Sequence, residues 1–312
     1  NYKKIYLLCL LILIFNSTVF TQSLIRIKRF GKNPGHLKMY MHIPSHLDTS
    51  KPLPLVVMLH GCMQCPGSAA ALSGWNKLSD EYGFYVLYPG QRLRNNPQKC
   101  YRWYRRRHIN RNRGENFSIK NMVDYVKNNY AVDDKNVFVT GLSAGAAMSV
   151  ALMANYPETF NSGAIFAGAA YKTGTSLVPI MLTFFGWRIK TPEKWAELVR
   201  RQNPDYKGRY PKMIIYQGNN DIIVNKRNAV ELMKQWTGLH QISSQPAETI
   251  KHYMNNPDIE RNSYRNADNE ELVAFYKVNR MGHALLVDPG KCKNQGGRHG
   301  LFSKDKGYPS TY

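Results

Sequence analysis

The segment Asn136-Val-Phe-Val-Thr-Gly-Leu-Ser-Ala-Gly-Ala-Ala-Met-Ser-Val-Ala-Leu-Met-Ala-Asn-Tyr156 changes character at its middle. Asn136–Thr140 is a short apolar run and reads as a buried strand. Ala146–Tyr156, rich in Ala and Met and stopped by Pro157, reads as a helix. Between them lies Gly141-Leu-Ser143-Ala-Gly145. A chain that turns from strand into helix over so few residues needs small neighbours, and it lifts the residue at the tip clear of the sheet. Because Gly and Ser are common, the five-residue pattern says little alone. The strand before it and the helix after it make it informative.

The neighbouring stretches extend the same rhythm. Leu53–Leu59 is almost wholly apolar, with Val56 and Val57 at its centre, as suits a strand covered on both faces. Leu37–Ile43 alternates like a half-buried strand. Phe84–Tyr88 (ended by Pro89-Gly90), Ala164–Ala167, Met213–Tyr216 and Val273–Val278 read as further strands, and Asn121–Tyr130 has helical spacing. This alternation predicts an α/β fold, a mostly parallel central sheet with helices on both faces. Residues 171–210 and 238–265 fit poorly and are expected to be insertions or lid elements. No linker composition or internal repeat interrupts residues 22–312, so a single domain is expected. With 312 residues and 43% hydrophobic content, the chain can bury a full core.

A serine hydroxyl at the tip of such a turn becomes a nucleophile only when a base takes its proton and an acid orients that base. On this kind of scaffold the chain order is Ser, then Asp or Glu, then His. Asp221 follows the strand Met213–Tyr216 in the loop Gln217-Gly-Asn-Asn-Asp221, and His283 follows the last strand within Arg280-Met-Gly-His283. Asp288 and Asp268 are weaker substitutes for the acid. His108, His240, His252 and His299 lack the strand-then-loop setting. Acyl transfer also needs donors for a developing oxyanion. The backbone N–H of Ala144 is one expected donor. The N–H of Cys62, in the loop His60-Gly-Cys-Met63, is the other, with Met63 as the second choice. His60 reads as a structural residue of that loop. Tyr101, Trp103 and Tyr104 are either an aromatic wall for substrate or core packing.

The first residues read as an export signal. Lys3 and Lys4 precede the apolar run Ile5–Phe15, which is shorter than the roughly 20 residues of a membrane span. Cleavage after Thr21 is expected, giving a signal peptide at 1–21; an uncleaved anchor is the competing reading. Removing it takes away Cys9 and leaves Cys62, Cys65, Cys100 and Cys292. An even count in an exported chain predicts two disulfides, whose pairing the residues leave open. Cys62 and Cys65 have zinc-ligand spacing, but no second pair completes the set, so no metal is expected. No cofactor is expected either. The balance of 43 Lys+Arg against 21 Asp+Glu gives a formal charge of +22. It points toward polyanion or membrane-surface attraction. The run Arg105–Arg113 is read as a solvated loop or as a docking surface for acidic polysaccharide. No nucleic-acid partner is expected.

Taken together, these residues resemble the esterase family of polyhydroxybutyrate depolymerases and the related feruloyl and acetylxylan esterases. The resemblance rests on Pro54-Leu-Val-Val-Met-Leu-His-Gly-Cys-Met-Gln64, Tyr82–Pro89, Cys100-Tyr-Arg-Trp-Tyr104, Gly114-Glu115, the Ser143 turn, Asp221-Ile-Ile-Val224 with Asn228 and Gln235-Trp236, and Met281-Gly-His283. It implies an α/β-hydrolase fold with Ser143, Asp221 and His283 as the catalytic residues. It also implies a Cys62–Cys100 bridge, which would leave Cys65 with Cys292. Three features depart from the family pattern. Tyr101 stands where the family tends to have Trp, the run after Tyr104 is unusually basic, and the sequence stops at Tyr312 where the family continues into a closing helix. The expected function is a secreted or periplasmic serine esterase acting on polysaccharide-linked or small acyl esters. A polyhydroxyalkanoate depolymerase is the alternative. A non-catalytic polyanion-binding protein on the same scaffold is the alternative of another class.

Overall fold

In the computed structural model, which describes residues 24–45, 51–175 and 182–310, ten strands form one sheet. They are β1 (Ile25–Ile27), β2 (Lys38–His42), β3 (Leu53–Leu59), β4 (Tyr85–Gly90), β5 (Val132–Leu142), β6 (Ser162–Phe166), β7 (Lys212–Gly218), β8 (Glu248–Ile250), β9 (Ile259–Arg265) and β10 (Glu271–Val278). Their order is β1-β2-β4-β3-β5-β6-β7-β10-β9-β8. The central run from β4 to β10 is parallel throughout. Antiparallel pairs close both sides, β1–β2–β4 at one and β10–β9–β8 at the other. Both outermost strands are three residues long. Two more short strands, β11 (Leu285–Val287) and β12 (Ser303–Asp305), pair with each other.

Alternation along the central strands builds two cores. In β3, Leu55, Val57 and Leu59 join one buried cluster while Val56 and Met58 join the other. In β10, Val273 and Phe275 take the first side and Ala274, Tyr276 and Val278 the second. A strand apolar at every position is therefore one covered on both faces. Helices cover the sheet: α1 (Pro66–Ser73), α2 (Trp75–Tyr82), α3 (Arg106–Ile109), α4 (Gly114–Asn129), α5 (Ala144–Asn155), α6 (Pro192–Arg200) and α7 (Arg227–His240). α4 gives Ile119, Met122, Val123 and Val126 to the first core, and α7 gives Leu232 and Trp236.

Several boundaries differ from the sequence expectations. α4 begins seven residues before the apolar spacing does, because its first turns bury Glu115, Asn116 and Ser118 rather than apolar side chains. β5 starts at Val132, since its polar opening Asp133-Asp134-Lys135 lies mostly exposed. The stretch 238–265, expected to be an insertion or a lid element, holds β8 and β9, which extend the sheet beyond β10. Polar residues such as Arg261 and Asn262 within β9 conceal the strand from a reading by hydropathy. The stretch 171–210 contains α6, packed against α7, and residues that reach the cavity described next. The export signal expected at 1–21 lies outside the described residues.

Candidate active site

β5 delivers Ser143 and α5 carries the chain away. Ser143 has φ 58° and ψ −120°, a left-handed backbone that side chains rarely adopt. The flanking glycines make the turn feasible. A Cβ on Gly141 would come 2.7 Å from the Gly145 carbonyl carbon, and one on Gly145 would come 2.3 Å from the Leu59 carbonyl oxygen. The Ser143 N–H donates to Phe166 O at 2.9 Å, bracing the turn on the end of β6. Ser143 then lines a cavity of about 470 Å³ together with His283.

The loop after β7 brings Asp221 to the same place. Its Oδ2 accepts from His283 Nδ1 at 2.8 Å and from Gln217 Nε2 at 3.1 Å. Its Oδ1 accepts from the N–H groups of Ile223 and Val224, both at 2.9 Å. Burial alone would raise this carboxyl. The His283 hydrogen bond and charge, with the two backbone N–H groups, outweigh it and hold Asp221 below the usual aspartate range. With Nδ1 engaged, the remaining ring nitrogen of His283 is the one left for a substrate-side proton.

On the other side of Ser143 stands the loop after β3. His60 is fully buried; its Nδ1–H donates to Gly61 O at 2.7 Å and its Nε2 accepts from Gln91 N–H at 3.1 Å. Burial lowers its pKa to about 4, so the ring is neutral and structural. Gln64 Oε1 accepts from Gly61 N–H at 2.6 Å, holding the loop's curve. The Met63 N–H is occupied by Gln98 O at 2.6 Å. Among the described residues no acceptor engages the N–H of Cys62 or of Ala144. Cys62 is bridged to Cys100, which ties this loop to the one carrying Trp103 and Tyr104.

Two expectations about this region are corrected. Tyr101 is not a substrate wall: it is wholly buried, its hydroxyl donates to Pro89 O at 2.7 Å, and its ring packs 4.9 Å from His60. Trp103 and Tyr104 do line the cavity, and Trp103 meets Phe184 edge to face at 6.4 Å. The second correction concerns Cys65 and Cys292, which are separate exposed thiols. Cys65 sits at the N-terminus of α1, whereas the turn of Cys292 is pinned by Lys77 of α2, whose Nζ donates to Cys292 O at 2.9 Å. The eight residues of α1 span about 12 Å, and a bridge needs Cα atoms within about 7 Å. Of the basic run, Arg105–Arg107 are exposed, while His108 and Ile109 turn inward and Arg111 pairs with Glu158 at 2.7 Å. Sequence reading missed Phe184, and it gave Gln64, Ile223 and Val224 no role beyond the motifs that carry the resemblance. They reach the cavity through tertiary placement; Phe184 lies in a stretch that follows neither period.

Known proteins resemble this chain closely. Residues 38–247 match the family model described as Esterase PHB depolymerase. The chain is 38% identical over 292 residues to poly(3-hydroxyalkanoate) depolymerase C of Paucimonas lemoignei, covering 93% of this chain and 68% of that protein. It is 34% identical over 239 residues to an acetylxylan esterase of Coprinopsis cinerea, covering 73% of this chain and 61% of that protein. The solved acetyl xylan esterase from Aspergillus awamori superposes with a TM-score of 0.76 at 28% identity, over 84% of this chain and 94% of that one. The fold is that of the α/β-hydrolases.

Proposed function

The chain belongs to the Esterase PHB depolymerase family and is a serine carboxylic-ester hydrolase, and we propose that Ser143, His283 and Asp221 carry its reaction. Ser143 Oγ attacks the ester carbonyl while His283 takes the proton. Asp221 fixes the ring tautomer and stabilises the imidazolium. The N–H groups of Ala144 and Cys62 receive the oxyanion. His283 returns the proton to the leaving alcohol, and water then releases the acyl group from Ser143. The observation that carries this reading is the 2.8 Å Asp221–His283 bond on the wall that also presents Ser143. Ser143→Ala is expected to lower turnover of p-nitrophenyl butyrate by about 10⁴-fold or more. Turnover near the wild-type rate in that variant would remove Ser143 from the mechanism.

For the substrate, we favour a polyester of short hydroxyacyl units. Met63, Phe184 and Ile223 line the cavity and are themselves exposed, and Phe185, Trp187 and Ile222 (97% exposed) stand out nearby. Phe185 and Trp187 stack at 5.1 Å. An apolar rim of this extent suits an apolar chain or film. The second reading, acyl esters on polysaccharide, is supported by the Trp103 and Tyr104 rings, which offer faces to a sugar. Clearing of a polyhydroxybutyrate film, set against acetate release from acetylated xylan, separates the two. Export through residues 1–21 is part of the proposal, and the Cys62–Cys100 bridge suits an oxidising compartment. No helix among the described residues is long and apolar enough to cross a membrane.

A further inference from the structure

The two loops that line the cavity beside Trp103 also carry cations. Tyr104 lines the wall, and Arg105, Arg106 and Arg107 follow it, all exposed. The Arg105 guanidinium lies 5.9 Å from the centre of the Tyr104 ring. Gly168 and Ala169 also line the cavity, and Lys172 comes three residues later, its ammonium 5.3 Å from the Tyr171 ring. The Tyr171 hydroxyl donates to Ile109 O at 2.9 Å, which ties the segment carrying Lys172 to α3, the helix that Arg106 opens. Burial, then the charges of Arg106 and Arg201, lowers the Lys172 pKa.

Nearby acids do not neutralise the group. Glu158 pairs with Arg111, Glu197 pairs with Arg201, and Glu115 is buried beneath the loop, where it accepts from the Arg102 N–H. Among the described residues no carboxylate pairs with Arg105, Arg106, Arg107 or Lys172. Clustered cations with no ion-paired carboxylate raise the local concentration of anions, and guanidinium groups favour carboxylates, which they can hold through two parallel hydrogen bonds.

A polyester of hydroxy acids is neutral along its length. Its one charged group is the terminal carboxylate, and each ester hydrolysis creates another: water adds across the acyl–oxygen bond, leaving a carboxylate on one fragment and a hydroxyl on the other. We propose that Arg105, Arg106 and Lys172 bind the terminal carboxylate of a polyester chain lying in the cleft, so that the enzyme prefers chain ends and anionic oligomers. This rests on the polyester reading of the same site. With the carboxylate held on that side, the leaving alcohol is a short hydroxy acid.

The test compares 3-hydroxybutyrate oligomers bearing a free carboxylate with the same oligomers capped as methyl esters. Wild type, Arg105→Gln/Arg106→Gln and Lys172→Gln are assayed. The readout is the ratio of kcat/KM for the two substrates on one enzyme sample, which cancels any loss of folded protein. Wild type is expected to favour the free acid about tenfold, mainly through KM. The ratio should move toward unity in the variants, and also between about 0.01 M and about 1 M salt, where the screening length shrinks about tenfold. Equal rates on both oligomers in wild type would overturn the proposal, as would a preference that survives the substitutions. Cleavage of acetylated polyuronate in preference to acetylated neutral xylan, without any chain-end preference, would overturn it in favour of pendant carboxylates. If neither oligomer is cleaved while acetylated xylan is, the polyester reading itself fails.

Discussion

The Glu115 carboxyl lies fully buried under the Cys100–Arg102 loop, accepting from Gln91 Nε2 at 2.8 Å and from Arg102 N–H at 2.7 Å. Burial pushes its pKa up to about 7, against the pull of those donors and of the Arg102 and Arg105 charges. An unfolded glutamate titrates near 4.3. Between about 4.3 and about 7 the folded protein therefore holds a proton that the unfolded chain has lost, and stability falls as pH rises through that window before levelling off. Glu115→Gln should flatten this slope in thermal melts taken across the window; a slope unchanged by the substitution would place its origin elsewhere. Asp221 acts in the opposite sense at lower pH. Its depressed carboxyl adds stability above the unfolded value near 3.9, and this is lost as pH falls through the folded one. Ser143, Asp221 and His283 were legible in the sequence because each stands in a loop just past a strand, a local pattern. Tyr101 was not, since whether an aromatic ring faces a cleft or His60 depends on residues far away in the chain. Glu115 and Gln64 acquire their roles only through folding.

At the scale of elements, the loops on either side of the site are joined by the Cys62–Cys100 bridge, which spans 38 residues. It closes a segment that includes α1, α2 and β4. Replacing both cysteines with serine should cost about 2–4 kcal/mol of stability, chiefly by freeing the unfolded chain. Below the melting temperature kcat should fall more than KM rises, because the Cys62 N–H is a proposed oxyanion donor. Chemical denaturation and steady-state kinetics on the double variant check the two effects separately; equal kcat with lowered stability would confine the bridge to a structural role. The parallel strands were readable because a strand buried on both faces is apolar throughout. The elements at the sides were not. In β9 and the first turns of α4, polar residues are buried against partners that hydropathy does not encode. α1 and α2 are too short for a helical period to register.

Across the whole molecule, the expected Cys65–Cys292 bridge would have linked the entrance of the first helix to the segment after β11. The fold keeps the two thiols apart and anchors the C-terminal turn instead through Lys77, whose ammonium donates to the carbonyls of Gly290, Cys292 and Gln295. Both thiols are exposed, so native Ellman titration should fall by one equivalent in Cys65→Ser and by one in Cys292→Ser. A count that rises by one in either variant would mean that the bridge exists, because each substitution would then release the other thiol. The ends of the sheet bear on a different matter. An enzyme that gathers on an insoluble surface reaches local concentrations at which open sheet edges could join molecules into continuous sheets. Here each edge strand is only three residues long, and Arg26 and Glu248 put charge on them. Such edges offer few backbone partners, and two copies of the same edge would bring like charges together, so short length and charge both limit edge-to-edge joining.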